Sequence, residues 1–263
     1  MLTFFLISIP MSGLICVRTC PRPTGISYLA ETLAALDGAG ALDHREKIII
    51  SDGPLDMTDE MLETLDRGWL HIVHPDGPSG TKQGLWKAFR TCLNFGEGRS
   101  HDRIHMFEDD IVPCKNAVKR VLQHPIPNDV AFISWFDYRE FEKHPEGGTN
   151  GMPRKRLWTR ATNSFWGIQA LTFPRETIEF LANIDPEMAV RRLRGNPHNS
   201  DMIMAEILTL HPSWPKKNLG LHFPCLFEHV GDQSAWNPDP ATFIRATDWR
   251  GKDFDALTLP IYE

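Results

Sequence analysis

The sequence is short of cysteine, of net positive charge and of long apolar runs, and each shortage closes off a class of protein. Its five cysteines (Cys16, Cys20, Cys92, Cys114 and Cys225) are odd in number and widely spaced. Cys16 and Cys20 are the only close pair, and no second pair completes a zinc site. Reduced thiols in a cytosolic protein are the expectation. The formal net charge of −6 gives no global pull toward nucleic acid. The apolar opening Met1 to Met11 (MLTFFLISIPM) is far shorter than the ~20 residues that cross a bilayer. It also lacks the basic n-region and small-residue cleavage site of a signal peptide. Residues 1–12 therefore read as an extension ahead of a start at Met11, or as an edge strand, with no membrane anchor and a cytoplasmic location. Internal repeats and low-complexity tracts are absent as well.

What is present suits one α/β domain: 263 residues, 41% of them hydrophobic, are enough for a sizeable core. The first half alternates strand and helix. Gly13 to Arg18 reads as a buried strand. Ser27 is placed to cap a helix carrying Leu29, Leu33, Ala34 and Leu36, which Gly38 and Gly40 end. Lys47 to Ile50 is a second strand, Asp59 to Leu65 a short helix, and Trp69 to Val73 a third strand. A helix over Thr81 to Leu93 and a strand over Arg103 to Phe107 follow. Such alternation predicts a mostly parallel, doubly wound sheet flanked by helices, with ligands at the carboxyl ends of the strands. That edge would receive Arg18, Thr19, Asp52 and Glu108 to Asp110. In the second half, strands are expected at Val130 to Trp135, Trp166 to Phe173 and Leu221 to His229. Helices are expected from Pro174 to Ile184 and from Met202 to Leu210. Asp137 to Thr159 reads as a long loop, and the tail after Asn237 as a surface wrap.

The fourth strand delivers three consecutive carboxylates, Glu108-Asp109-Asp110. Buried unpaired carboxylates are very costly, so these must meet a metal, a base or water. Hard oxygen ligands suit Mn²⁺ or Mg²⁺, which also bind diphosphate oxygens. A solvated loop after a strand is the plainer reading of three acids taken alone.

The segment His105-Met106-Phe107-Glu108-Asp109-Asp110-Ile111-Val112-Pro113 resembles the GT-A glycosyltransferases, in particular enzymes related to N-acetylglucosaminyltransferases, where an EDD string follows the fourth strand. The resemblance implies a single GT-A, Rossmann-like domain. Residues 13–115 would form its nucleotide-sugar-binding half and 116–263 its acceptor-binding half. It implies that Asp110 holds a divalent metal on the diphosphate of a sugar nucleotide, most simply a UDP-sugar, and that Glu108 contacts ribose or sugar. Asp109 has a weaker part at the donor. Arg18 and Thr19 would grip the nucleotide, and Asp52 would meet base or ribose. Asp52 before Gly53 is otherwise an ordinary turn residue. Lys82 opens a helix whose free N–H groups suit an anion, and it reads equally as a solvated first-turn residue. Phe227 to Ser234 (FEHVGDQS) is similar to a late segment of the same enzymes and makes His229 a metal or diphosphate ligand, with Gly231 allowing backbone to approach phosphate. Trp166 and Gly167 would line the sugar pocket, with Trp135 and Asp137 at the same edge.

An inverting transfer needs a base, and the resemblance, in which inverting enzymes place an acid at the start of a late helix, makes Asp201, ahead of the Met202 helix, the candidate. Asp201 also suits the first turn of that helix. Two basic clusters, Arg154-Lys155-Arg156 with Arg160 and Arg191-Arg192 with Arg194, read either as solvated faces or as a docking site for a polyanion. The second reading makes a hydroxymethylated base flipped from DNA a candidate acceptor, as for phage enzymes of this general sort. A glycan or protein acceptor is the alternative. A nucleotidyltransferase would carry a Gly-rich basic loop after strand one, where this chain has the Pro-rich Arg18-Thr19-Cys20-Pro21-Arg22-Pro23. A non-catalytic nucleotide-sugar-binding domain is the third reading. Oligomeric state is not readable from the sequence.

Overall fold

The computed structural model describes residues 13–22, 25, 27–74, 82–136, 158–161, 167–185, 203–204, 207–208, 217–231, 246 and 248–260. Strand β1 (Gly13–Thr19) is buried along its whole length. It leads to helix α1 (Leu29–Leu36), strand β2 (Lys47–Ser51), helix α2 (Asp59–Leu65) and strand β3 (Trp69–Val73). Helix α3 (Lys82–Gly98) and strand β4 (Arg103–Glu108) complete the first half. Then come β5 (Ile111–Pro113), α4 (Ala117–Gln123), β6 (Val130–Ser134), β7 (Trp158–Ala161), β8 (Ala170–Pro174), α5 (Arg175–Asn183), β9 (Asn218–Leu221) and β10 (Phe227–His229).

Eight strands form one sheet in the order β3-β2-β1-β4-β8-β6-β9-β7. The pairs β1–β2, β2–β3, β1–β4 and β6–β9 are parallel. Among the described strands only β8 and β7 run against the rest, through antiparallel pairs with β4, β6 and β9. The fold is thus α/β with a mostly parallel central sheet and flanking helices. The strand order reverses beside β1, between β2 on one side and β4 on the other. That is the switch point where the carboxyl ends of such a sheet leave a crevice.

Near-continuous apolar strands serve two cores, because both faces of the sheet are covered. On one face Leu14, Cys16, Ile48, Ile50, Ile104 and Met106 pack against Trp86 and Phe89 of α3 and Leu181 of α5. On the other, Ile15, Val17, Ile49 and Phe107 meet Leu29 and Leu33 of α1 and Val118 and Val121 of α4. Ile203, Met204, Ile207 and Leu208 are helical and join the first core. All five cysteines are free. Among the described residues no helix is long and apolar enough to cross a membrane.

Several local expectations need correction. Tyr28, not Ser27, is the N-cap of α1, and Ser27 Oγ only accepts from Leu29 N–H at 3.4 Å. Helix α3 runs on to Gly98, because Phe95 continues its apolar face into the core. The strand expected from Trp166 begins at Ala170, since Gly167 has φ 92°, outside the range of any strand. Part of the supposed loop up to Thr159 is β7, a four-residue strand too short to show a period. The single strand expected over Leu221 to His229 is two. After β9 the chain leaves the sheet around Pro224, which has no N–H to give a ladder, and β10 pairs antiparallel with β5 instead. The tail docks on the start of α4: Lys115 N–H donates to Lys252 O at 2.8 Å, and buried Arg120 donates to the carbonyls of Leu259 and Pro260.

Candidate functional site

The carboxyl ends of β1, β2 and β4 meet at the switch point. Register sets Arg18 of β1 opposite Glu108 of β4, and Arg18 Nη2 donates to Glu108 Oε1 at 2.9 Å. The guanidinium also lies over the Phe89 ring, 5.5 Å from its centre. Glu108 N–H donates to Gln169 O at 2.9 Å, which ties the strand end to the start of β8. Burial pushes the Glu108 carboxyl up to about 7; Arg18 opposes this and Asp110 adds to it.

Asp109 is fully engaged by protein. Its Oδ2 accepts from Thr19 Oγ1 at 2.5 Å and from Arg22 Nη1 at 2.7 Å, and its Oδ1 from Arg22 Nη2 at 2.7 Å. Such a two-pronged guanidinium pair is both strong and directional. The Thr32 hydroxyl of α1 is shared between Asp109 O at 2.7 Å and Ile111 O at 3.1 Å, which fixes the backbone of the acidic turn. Burial raises the Asp109 pKa, and the bonds from Arg22 work against that rise. Arg22 itself is stacked 4.9 Å from the Tyr28 ring centre. Sequence reasoning missed Arg22 as a site residue. The one available signal was its place between Pro21 and Pro23 in the loop after β1.

Asp110 faces β10. In the β5–β10 ribbon His229 pairs with Ile111, and Val230 N–H donates to Asp110 O at 2.8 Å. His229 Nε2 then lies 3.2 Å from Asp110 Oδ2, an oxygen that Arg22 Nη2 also reaches at 3.2 Å. Asp110 Oδ1 is buried and has no hydrogen-bond partner among the described residues. Burial alone would raise the Asp110 pKa, but the hydrogen bond and charge of His229, with Arg22, bring it below the ordinary value. Gly231 packs directly on this carboxylate: a Cβ there would sit 2.6 Å from Asp110 Oδ2. Glu228 Oε1 accepts from His229 N–H and from Ala246 N–H, both at 2.9 Å, and so braces the ribbon.

The remaining candidates fall around this centre. Asp52 is buried at the end of β2, and its N–H donates to Thr19 O at 2.9 Å. The Cys20 thiol sits near the same acids; burial first, then the charge of Asp109, pushes it up to about 12. Lys82 begins α3, whose first turn therefore opens after β3 toward the carboxyl edge. Gly167 lies against Gln169: a Cβ there would come within 2.5 Å of Gln169 Oε1, a buried oxygen with no hydrogen-bond partner among the described residues. Trp135 is corrected to a core residue. It is fully buried, and its Nε1 donates to Thr172 Oγ1 at 2.7 Å, in the middle of the sheet. Trp166, Asp137, Asp201 and the clusters Arg154, Lys155, Arg156, Arg191, Arg192 and Arg194 lie outside the described residues.

No protein-family model matches the sequence, and no curated protein matches it. Among solved structures the chain is similar to galactosyltransferase LgtC, determined with donor and acceptor sugar analogs, at 10% identity and a TM-score of 0.46 over 89% of this chain and 92% of that one. It is also similar to a cytidylyltransferase from Leptospira borgpetersenii serovar Hardjo-bovis (strain JB197), at 13% identity and a TM-score of 0.39 over 66% of this chain. That second likeness spans only 65% of the cytidylyltransferase. Similarity this distant assigns no activity, and the chemistry rests on the site itself.

Proposed function

We propose that this protein is a metal-dependent glycosyltransferase that moves a sugar from a nucleotide-sugar donor, first among them a UDP-sugar, to a hydroxyl acceptor with inversion. The observation that carries the reading is Asp110. It is a buried carboxylate with one bare oxygen, held beside an imidazole at the switch point of a parallel sheet. A carboxylate oxygen and an imidazole nitrogen suit Mn²⁺, and the carboxylate suits Mg²⁺. Among the described residues no three His, Cys, Asp or Glu side chains are arranged to hold an ion by themselves. Diphosphate oxygens and water would complete such a shell, as they do where one or two carboxylates bind a metal with substrate phosphates. When bound, the cation would neutralise the departing nucleoside diphosphate.

The chain's own groups do the rest in this reading. Glu108, oriented by Arg18, accepts hydrogen bonds from ribose or sugar hydroxyls. Asp52 and Thr19 line the nucleotide side, and the first turn of α3 offers N–H groups to phosphate. Gly167 and Gln169 border the sugar. Asp201 takes the acceptor proton, an assignment that rests on the sequence alone. The basic clusters suit a DNA acceptor carrying a hydroxymethylated base, and a salt-sensitive mobility shift with duplex DNA tests that point separately.

A screen of sugar nucleotides with and without Mn²⁺, reading nucleoside diphosphate release, tests the proposal. Release from at least one donor, dependent on metal, is expected. Pyrophosphate release from a nucleoside triphosphate and a sugar phosphate would instead mark a nucleotidyltransferase. Donor binding without turnover would mark a binding domain.

A further inference from the structure

The acidic triplet presents three carboxylates in sequence but only one bare carboxylate oxygen on its last two acids. Both oxygens of Asp109 are taken by Arg22 and Thr19, and Asp110 Oδ2 is taken by Arg22 and His229. Among the described residues only Asp110 Oδ1 is left, buried and without a partner. Arg22 achieves this from a side chain that is itself 5% exposed. Stacking on Tyr28 holds the guanidinium in place.

We infer that Arg22 is a positioning residue that converts the acidic triplet into a one-carboxylate metal site, so that a divalent cation binds firmly only together with a diphosphate. Arg22 removes Asp109 from the ligand set by saturating it. It turns Asp110 by holding Oδ2, which leaves Oδ1 for the ion. Its positive charge beside Asp110 repels a bare cation. A diphosphate supplies both the missing oxygens and the negative charge that offsets the guanidinium. Affinity in oxygen-ligand sites follows ligand number and charge count, and here both are low until the donor arrives.

This inference rests on the metal-dependent reading above, and Mn²⁺ binding measured by electron paramagnetic resonance separates the two. The full-length protein is titrated with Mn²⁺ alone and with Mn²⁺ plus UDP, GDP, ADP or CDP. Wild type is expected to bind Mn²⁺ weakly alone and about tenfold or more tightly with its nucleotide. In Arg22→Met, Asp109 becomes a second carboxylate ligand. Mn²⁺ alone should then bind about tenfold tighter than to wild type, with little further gain from nucleotide. Unchanged nucleotide-free affinity in folded Arg22→Met overturns the inference. Arg22→Met leaves a bare buried acid, which endangers folding. The variant Asp109→Asn keeps Arg22 on Asp110 and should bind Mn²⁺ with nucleotide within about threefold of wild type. Loss of that binding would make Asp109 a ligand and also overturn the inference. Wild type that binds no Mn²⁺ with any nucleotide overturns the metal-dependent reading and this inference together, whereas failure confined to the variants removes the inference alone.

Discussion

At the scale of single residues, the centre depends on how closely Gly231 approaches Asp110. The added Cβ of Gly231→Ala would lie 2.6 Å from Asp110 Oδ2 and 3.0 Å from its Cγ. The carboxylate must then swing away from His229. Misplacing a reacting or ligating group by about 1 Å costs on the order of 10²-fold in rate. Donor turnover in Gly231→Ala should fall by about that factor, with circular dichroism unchanged and the unfolding midpoint lowered by the overpacking, which costs about 1–3 kcal/mol. Glu108 to Asp110 were legible in the sequence because three acids after a buried apolar run demand counter-charges. The counter-charges were only half legible. Arg18 is one, at the end of a strand with a visible pattern. Arg22 has no periodicity to announce it, and its partner Asp109 is distant in sequence. Gly231, expected to let backbone approach phosphate, packs on the Asp110 carboxylate.

At the scale of elements, the β5–β10 ribbon brings His229 to Asp110. Each strand has three residues, too few for a sequence pattern, and the pairing joins segments that are far apart in the chain. The sequence therefore showed His229 as a candidate without showing the element that delivers it. Glu228 stabilises the ribbon through two backbone N–H groups, those of His229 and Ala246. Removing a buried acceptor leaves its donors unsatisfied at about 1–3 kcal/mol. Glu228→Ala should lower the free energy of urea unfolding by about that amount and weaken nucleotide-supported Mn²⁺ binding. A stability loss with unchanged Mn²⁺ binding would separate the ribbon's structural part from any part in holding His229. The elements of the first half were readable for the opposite reason. There, apolar strands and helices alternate, and at α2 Thr58 Oγ1 accepts from Met61 N–H at 3.3 Å to start the helix.

At the scale of the whole molecule, three of the buried histidines, His105, His124 and His222, weaken the fold in acid. Burial lowers His105 to about 3, His124 to about 4 and His222 to about 3. Unfolded, each titrates near 6.5. The unfolded chain therefore binds more protons than the native one as pH falls through 6.5 toward 3 to 4, and stability drops across that window. Glu108 acts the other way between about 4.5 and 7, because its raised pKa makes the native state the better proton binder there. Urea midpoints measured from pH 7.5 to 4.5 should fall with acid, and His222→Phe should flatten the slope. At this scale the parallel half, β3-β2-β1-β4, follows from alternation and right-handed crossovers. The strands beyond β4 were less legible, because they are short, of mixed direction and joined by long connections whose pairing only tertiary packing decides.

The most direct test of the central claim is Mn²⁺-dependent turnover of the donor found by screening, measured in wild type and in Asp110→Asn at equal folded concentration. The proposed site predicts saturable dependence on Mn²⁺ in wild type and a loss of about 10²-fold or more in Asp110→Asn, which keeps the shape and removes the charge. Turnover in Asp110→Asn equal to wild type, with the same metal dependence, would contradict it.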